Sequence, residues 1–289
     1  MTRGELISEL AASLGARHEA RFIVEEVLGS PARGDDRVAD PADVEAARTL
    51  AARRRAGEPL QYVLGHWAFR SLDLLVDRRV LIPRPETEQV VDVALGEIGR
   101  LGTAAPTVVD AGTGSGAIAL SLATELAHGH PDTRLWGTEA SPDSLAVARA
   151  NLDRVCRQHV GSVLPVQFVQ GNWLDPLPSP LRGAVDVVVS NPPYVARGEW
   201  PDLSGEVRRE PVAALVAHDG TDGTPGLADV EAVLSQSLVW LARPGAVVIE
   251  LAPHQAEAAA LMARGMGYVD VRVDTDLAQR PRVLVGRTR

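Results

Sequence analysis

From residue 2 to about 57 the apolar positions recur at helical spacing. Leu6, Ile7, Leu10 and Leu14 share one face, and Phe22, Ile23, Val27 and Leu28 share another. Gly15 and Gly29 punctuate the ends, and Asp40-Pro41 supplies a cap and a first-turn proline for a third helix running through Val44, Leu50 and Arg53-Arg54-Arg55. The pattern predicts a small three-helix bundle over 1–57. The arginine triplet reads as a docking patch or, more economically, as a solvated helix C-terminus where the dipole favours positive charge.

The period changes over 58–83. Glu58-Pro59-Leu60-Gln61-Tyr62-Val63-Leu64-Gly65 precedes alternating segments at Trp67 to Phe69 and Leu72 to Val76, which predicts a connecting hairpin. Leu81-Ile82-Pro83-Arg84-Pro85-Glu86-Thr87-Glu88 then leads into a helix from near Thr87 with Val90, Val91, Val93, Ala94 and Leu95. Glu86 and Glu88 read either as ligand-facing groups or as ordinary first-turn partners of the helix dipole.

From Thr107 apolar strands and amphipathic helices alternate, the signature of a parallel sheet with helices on both faces, so a second domain is expected over 84–289. The strands fall at Thr107 to Asp110, Arg134 to Thr138, Val166 to Val169, Val185 to Ser190 and Ala246 to Leu251. Two more, near Tyr268 to Val273 and Arg282 to Gly286, complete seven. Their connection is too short for a crossover helix, so the last strand is expected to be antiparallel. Trp200 to Gly226 is a long polar, Gly-rich connection of the kind that borders sites.

Composition narrows the function. With 289 residues and 45% apolar content the chain is long enough for a substantial core. A net charge of -9 argues against a protein that grips nucleic acid through its phosphates. All 29 basic residues are arginine, which excludes a lysine Schiff base and a P-loop lysine. Cys156, the single cysteine, excludes an intrachain disulfide and a multi-thiolate metal site, and its helical setting predicts a packed thiol. No run approaches the length of a membrane span, and the chain opens on Thr2-Arg3-Gly4-Glu5 rather than on a basic segment leading into an apolar one. A reducing, cytoplasmic setting is expected, with no membrane and no direct nucleic-acid partner.

The candidate chemistry lies at strand ends. Asn191-Pro192-Pro193-Tyr194 follows the β-branched run Val185 to Ser190 and so sits where open α/β sheets bind ligands. The prolines hold Asn191 and Pro192 extended, which aims the Asn191 side-chain carbonyl and nearby backbone carbonyls in fixed directions beside the Tyr194 ring. Such acceptors suit a planar NH2 group. Strand one ends in Asp110-Ala111-Gly112-Thr113-Gly114-Ser115-Gly116-Ala117, a loop whose backbone approaches a ligand closely ahead of a helix N-terminus. Gly112, Gly114 and Ala117 also satisfy the dinucleotide form, and Glu139 at the end of strand two accepts from ribose hydroxyls in either case. A dinucleotide and a nucleoside cofactor look alike to this point. Asn172 and Trp173, after strand three, read as an adenine edge and face, or Trp173 as a core aromatic. His128 and His130 have no acidic or thiol partner nearby, which disfavours a metal site.

Together these strings resemble the S-adenosylmethionine-dependent methyltransferases that act on planar nitrogens. Among them the chain is most similar to the release factor glutamine methyltransferases (the HemK/PrmC family) over nearly its whole length. The resemblance rests on Glu58 to Gly65, Leu81 to Glu88, Gly112 to Ala119, Ser190 to Tyr194, Glu210-Pro211 and Asp222-Gly223. It implies a seven-stranded Rossmann-like catalytic domain and an N-terminal helical domain that helps hold a class I peptide chain release factor. The reaction implied is methylation of the Gln in that factor's Gly-Gly-Gln loop. By the same resemblance Gly112, Thr113, Gly114, Ser115 and Gly116 line the methionine part of the cofactor, Glu139 the ribose, Trp173 with Asn172 the adenine, and Asn191 to Tyr194 the glutamine amide. Ala111 stands where the family usually has Leu, and Glu139 and Asn172 stand where Asp is usual. Glu139 keeps the acceptor with a longer reach. A ribosomal-protein glutamine methyltransferase, a DNA adenine N6-methyltransferase acting on a flipped base, and an inactive binding module are the alternatives. The acidic balance weighs against DNA.

Overall fold

The computed structural model describes residues 1–30, 38–158 and 165–289. It divides into two compact units, Met1–Trp67 with Ser204–Arg209, and Ala68–Leu203 with Glu210–Arg289.

The first unit is built from α1 (Arg3–Leu14), α2 (Arg17–Leu28), α3 (Pro41–Arg55) and α4 (Leu60–Leu64). Thr2 and Glu5 form a reciprocal cap on α1, and Asp40 accepts from the Ala42 N–H at 2.9 Å ahead of Pro41. Leu6, Leu10, Ile23, Val24, Ala47 and Leu60 bury the core. Two expectations need correction. Leu60–Leu64 is a helix rather than the start of the hairpin, closed by the Gly65 N–H on the Gln61 carbonyl at 2.8 Å. Phe22 faces out, 43% exposed, with its ring edge-on to Trp67 at 6.0 Å. The arginine triplet is also not simply solvated. Arg54 pairs with Glu19 and Glu206, both through short bonds, and Arg53 pairs with Glu58 and donates to the Tyr62 carbonyl.

After β1 (His66–Phe69) and its partner β2 (Leu72–Leu75) come α5 (Thr87–Leu101), β3 (Thr107–Ala111), α6 (Ala117–Leu126), β4 (Arg134–Glu139), α7 (Pro142–Gln158), β5 (Val166–Gln170) and β6 (Val185–Ser190). A short parallel pair, β7 (Val195–Ala196) and β8 (Val216–Ala217), precedes α8 (Ala228–Trp240), β9 (Leu241–Glu250), α9 (Ala256–Gly265), β10 (Val269–Thr275) and β11 (Pro281–Thr288). The main sheet runs β10-β11-β9-β6-β3-β4-β5, and only β11 is antiparallel to its neighbours.

Strand residues alternate between two cores, as a period of two requires. Val187, Val189, Ala246 and Val248 pack under α5, α6 and α7, while Val188, Val247 and Ile249 pack under α8 and α9. Cys156 packs against the first of these cores, half-buried. The start of β9 lies earlier than its apolar run suggests. The pairing of β6 jumps from Leu241 to Ala246, so Arg243-Pro244-Gly245 forms a bulge inside the strand. Burial would push the Glu97 carboxyl on α5 up. Hydrogen bonds from Arg287, Arg100 and Arg272 override it and hold the group at about 2, tying α5 to the β10–β11 edge. Among the described residues no helix is long and apolar enough to cross a membrane.

Candidate active site

The order of the sheet reverses beside β3. The chain builds β4 and β5 on one side and β6 and β9 on the other, which opens a crevice at the carboxyl ends of β3 and β6. A cavity of about 550 Å³ occupies it, within the size range of small-molecule sites.

One wall is the loop after β3. The Gly112 and Thr113 N–H groups both donate to the Thr138 carbonyl, at 3.0 and 2.8 Å, which pins the loop to β4. Gly112 has φ +76°, and a Cβ there would stand 3.1 Å from the Trp173 ring, so glycine is needed for both conformation and space. Below the loop Asp110 is fully buried. One of its oxygens accepts from the Thr113 hydroxyl at 2.6 Å and the Ala119 N–H at 3.1 Å, and the other has no partner among the described residues. Burial pushes its carboxyl up to about 7. Helix α6 has no side-chain cap, and its first residues, Ala117 and Ile118, line the cavity.

Glu139 uses its length. Its two oxygens accept from the Gly114 N–H and the Ser141 N–H, each at 2.9 Å, so one carboxylate joins the glycine loop to the entry of α7. Each oxygen keeps a lone pair for a further donor. Gly171, Asn172 and Trp173 line the cavity beyond β5. The Trp173 indole lines the cavity and also packs, half-buried, against the core beneath α8.

Asn191 and Pro193 line the opposite wall; Pro192 is buried behind it. The Asn191 NH2 donates to the Thr87 hydroxyl at 3.1 Å, and Thr87 donates in turn to the buried Glu250 carboxylate at 2.7 Å. The Asn191 side-chain oxygen is therefore left as an acceptor. Tyr194 is not part of the cavity wall. Its hydroxyl reaches the other Glu250 oxygen at 3.4 Å, its carbonyl accepts from Gln255 at 2.9 Å, and burial raises its pKa. Gly116 likewise stands outside the lining, at the start of α6. Burial also raises the Glu250 and Asp229 carboxyls.

Three further residues shape the site, of which only Glu210, in the Glu210-Pro211 string, stands out in the sequence. Glu210 is buried and accepts from the Ile82 N–H at 3.0 Å and from Arg84, which fixes the Leu81–Arg84 wall. Asn151 on α7, fully buried, binds Leu75 through both backbone groups and donates to the Ser115 carbonyl at 2.8 Å. Ser144 donates to the Arg79 carbonyl at 2.7 Å. The roles of Asn151 and Ser144 leave no local signal, because these partners are distant in sequence. Among the described residues the wall contains no His, Cys, Tyr or Lys. Hydroxyls, glycines, two carboxamides and an indole suit positioning of a polar ligand rather than covalent catalysis.

The comparisons with known proteins agree with this geometry. The PrmC N-terminal domain family matches residues 4–65, and a methyltransferase domain family matches residues 108–210. Among solved structures, the human Mettl16 catalytic domain in complex with MAT2A 3'UTR hairpin 1 superposes with TM-score 0.53 at 15% identity, covering 97% of this chain and 90% of that one. The N-terminal domain of human METTL16 in complex with SAH gives 0.50 at 14%, covering 98% and 94%. At such identities these share the fold alone. The release factor glutamine methyltransferase of Burkholderia pseudomallei is 39% identical over 93% of this chain and 91% of its own length. That of Bordetella pertussis is 39% identical, covering 97% and 98%, and that of Escherichia coli is 35% identical, covering 98% and 96%. Identity at this level, kept across the helical and the sheet-bearing parts alike, means that the chain belongs to the release factor glutamine methyltransferases.

Proposed function

We propose that this chain methylates the side-chain amide nitrogen of the glutamine in the Gly-Gly-Gln loop of a class I release factor, in the cytoplasm, with residues 1–57 helping to hold that factor. The observation that carries the reading is the orientation of Asn191: its NH2 is spent on Thr87, so its oxygen is available to a donor in the cavity.

The donor group is S-adenosylmethionine, which supplies an electrophilic sulfonium methyl. The cavity fits it in chemistry. A loop with glycine where a side chain would strike the Trp173 ring, a carboxylate with spare lone pairs and an indole face suit an aminoacyl chain, a ribose and an adenine. Gly112 to Ser115 would hold the methionine part, with Gly116 setting the start of α6 behind them. Glu139 would take the ribose, and Asn172 with Trp173 the adenine.

An amide nitrogen shares its lone pair with the carbonyl, the resonance behind the peptide C–N rotation barrier of roughly 18–20 kcal/mol, so it is a weak nucleophile. Orientation compensates. The Asn191 oxygen, engaged by no other described residue, accepts an N–H bond of the substrate amide and orients it toward the methyl donor, while Pro192, buried behind the wall, stiffens the loop that aims it. Positioning of this kind supplies on the order of 7–11 kcal/mol in favourable systems. Pro193 and the half-buried Tyr194 ring keep that acceptor from moving.

The test is single-turnover methyl transfer by wild type and Asn191→Ala, with cofactor affinity measured on both. Loss of transfer by about a hundred-fold or more, with cofactor affinity within about three-fold, supports the reading, the size being that of a lost oriented catalytic hydrogen bond. Unchanged transfer in Asn191→Ala contradicts it.

A further inference from the structure

A carboxamide is nearly symmetric in shape, yet its two ends are chemically opposite, one a pure acceptor and the other a pure donor. A site that holds a substrate NH2 through Asn191 works only with the oxygen outward; the reversed amide would set donor against donor. Something must select the end. The proline-rich loop restricts the backbone of Asn191 but leaves rotation of the terminal amide free.

Resting on the proposed function, the geometry points to Thr87 and Glu250 as the positioning residues that make this selection and so restrict the site to a donor NH2. Three elements bring the chain together: Asn191 follows β6, Thr87 opens α5 and Glu250 ends β9, separated by 104 and 163 residues along the chain. Thr87 and Glu250 are 4% and 1% exposed, so water does not compete for these bonds. A hydroxyl has one proton. Thr87 gives it to the Glu250 carboxylate at 2.7 Å, and a carboxylate accepts only. What Thr87 turns toward Asn191 is therefore a lone pair, which demands the NH2 end at 3.1 Å. The Tyr194 hydroxyl, 3.4 Å from the second Glu250 oxygen, donates into the same carboxylate and keeps its direction. Burying a carboxylate at the end of an apolar strand costs stability. An aliphatic side chain at 250 would pack without that cost but would leave the proton of Thr87 undirected.

A merely structural role, capping α5 and filling the core, predicts effects on folding or on every ligand alike. The test compares Thr87→Ser, Thr87→Val and Glu250→Gln with wild type, in the full chain, for cofactor affinity, kcat and KM toward the release factor. Thr87→Ser keeps the hydroxyl and is expected within about two-fold of wild type. Thr87→Val keeps the shape and removes the hydroxyl; kcat is expected to fall about ten-fold or more, with cofactor affinity and KM within about two-fold, the scale of one hydrogen bond. Glu250→Gln, whose own amide can present either end to Thr87, is expected to lower kcat in the same way.

Two further readouts separate the causes. If Thr87 acts through Asn191, the Asn191→Ala/Thr87→Val double variant is no slower than Asn191→Ala; multiplied losses overturn the inference. Independently of activity, the side-chain NH2 protons of Asn191, followed by 15N NMR, are expected to exchange slowly in wild type and Thr87→Ser and fast in Thr87→Val. Equal exchange in all three overturns the inference. Slow exchange in a wild type that moves no methyl to the release factor overturns the proposed substrate while leaving the relay in place.

Discussion

Glycine at 137 is a residue-scale constraint without any motif to announce it. A Cβ there would stand 2.5 Å from two carbons of the Phe168 ring and 3.1 Å from the Thr113 hydroxyl, between the core and the floor of the glycine loop. Gly137→Ala is expected to cost about 1–3 kcal/mol by overpacking, read as a shift of the urea midpoint, and to weaken cofactor binding because the displaced Thr113 belongs to the loop. Asp110 makes a pH prediction. Its carboxyl sits at 3.8 in an ordinary setting and is pushed up to about 7 in the fold by burial. The folded chain therefore binds that proton more tightly than the unfolded one. Its contribution to stability is complete at low pH and declines as pH rises from about 4 through about 7, by at most about 1.4 kcal/mol per unit. Buried Glu250 acts in the same direction. Asp110→Asn imitates the protonated acid, with one oxygen still able to take both existing bonds. The loss of stability in urea between about pH 5 and about pH 7 is expected to be smaller in the variant than in wild type. An equal pH slope in the two would contradict a shifted Asp110.

At the scale of elements, the glycine loop is only as firm as its supports. Asn151 on α7 holds the Ser115 carbonyl and both backbone groups of Leu75 on β2. Asn151→Ala strands three backbone groups, one buried and two half-buried, with an expected loss of about 1–3 kcal/mol in chemical unfolding and weaker cofactor binding. Asn151→Ala with unchanged stability would show that water replaces those bonds. The same element shows where sequence reading stops. The seven strands were legible because β-branched runs at Val185 to Ser190 and Ala246 to Leu251 have few other uses, and the glycine loop because its strand and helix flank it on both sides. Helix α4 was not, since five residues are too short to display a helical period, and Pro59 and Gly65 read equally well as turn signals. The partners of Arg53, Arg54, Asn151 and Thr87 depend on which distant segments meet. A single sequence carries no trace of that. Asn191 was legible as a candidate; its hydrogen bond to Thr87, and that of Thr87 to Glu250, were not.

For the whole molecule, the absence of lysine and the charge of -9 leave arginine as the only permanently positive side chain, and much of it is already paired with carboxylates. That distribution suits a protein partner recognised by shape and local pairing, not a polyanion held by loose positive charge. Membership in the release factor glutamine methyltransferases, a cavity at the switch point of the sheet and an Asn191 oxygen left unpaired beside Thr87 are the observations behind the proposed methyl acceptor. The central claim is tested most directly by locating the methyl group. The purified chain is incubated with S-adenosylmethionine and a class I release factor, with duplex DNA in a parallel reaction, and the products are digested and sequenced by tandem mass spectrometry. One methyl group on the side-chain nitrogen of the glutamine in the Gly-Gly-Gln peptide, absent when that glutamine is replaced by alanine, is the predicted result. A methyl group on another residue of the factor, or on adenine of the DNA with the factor unmodified, would contradict the account.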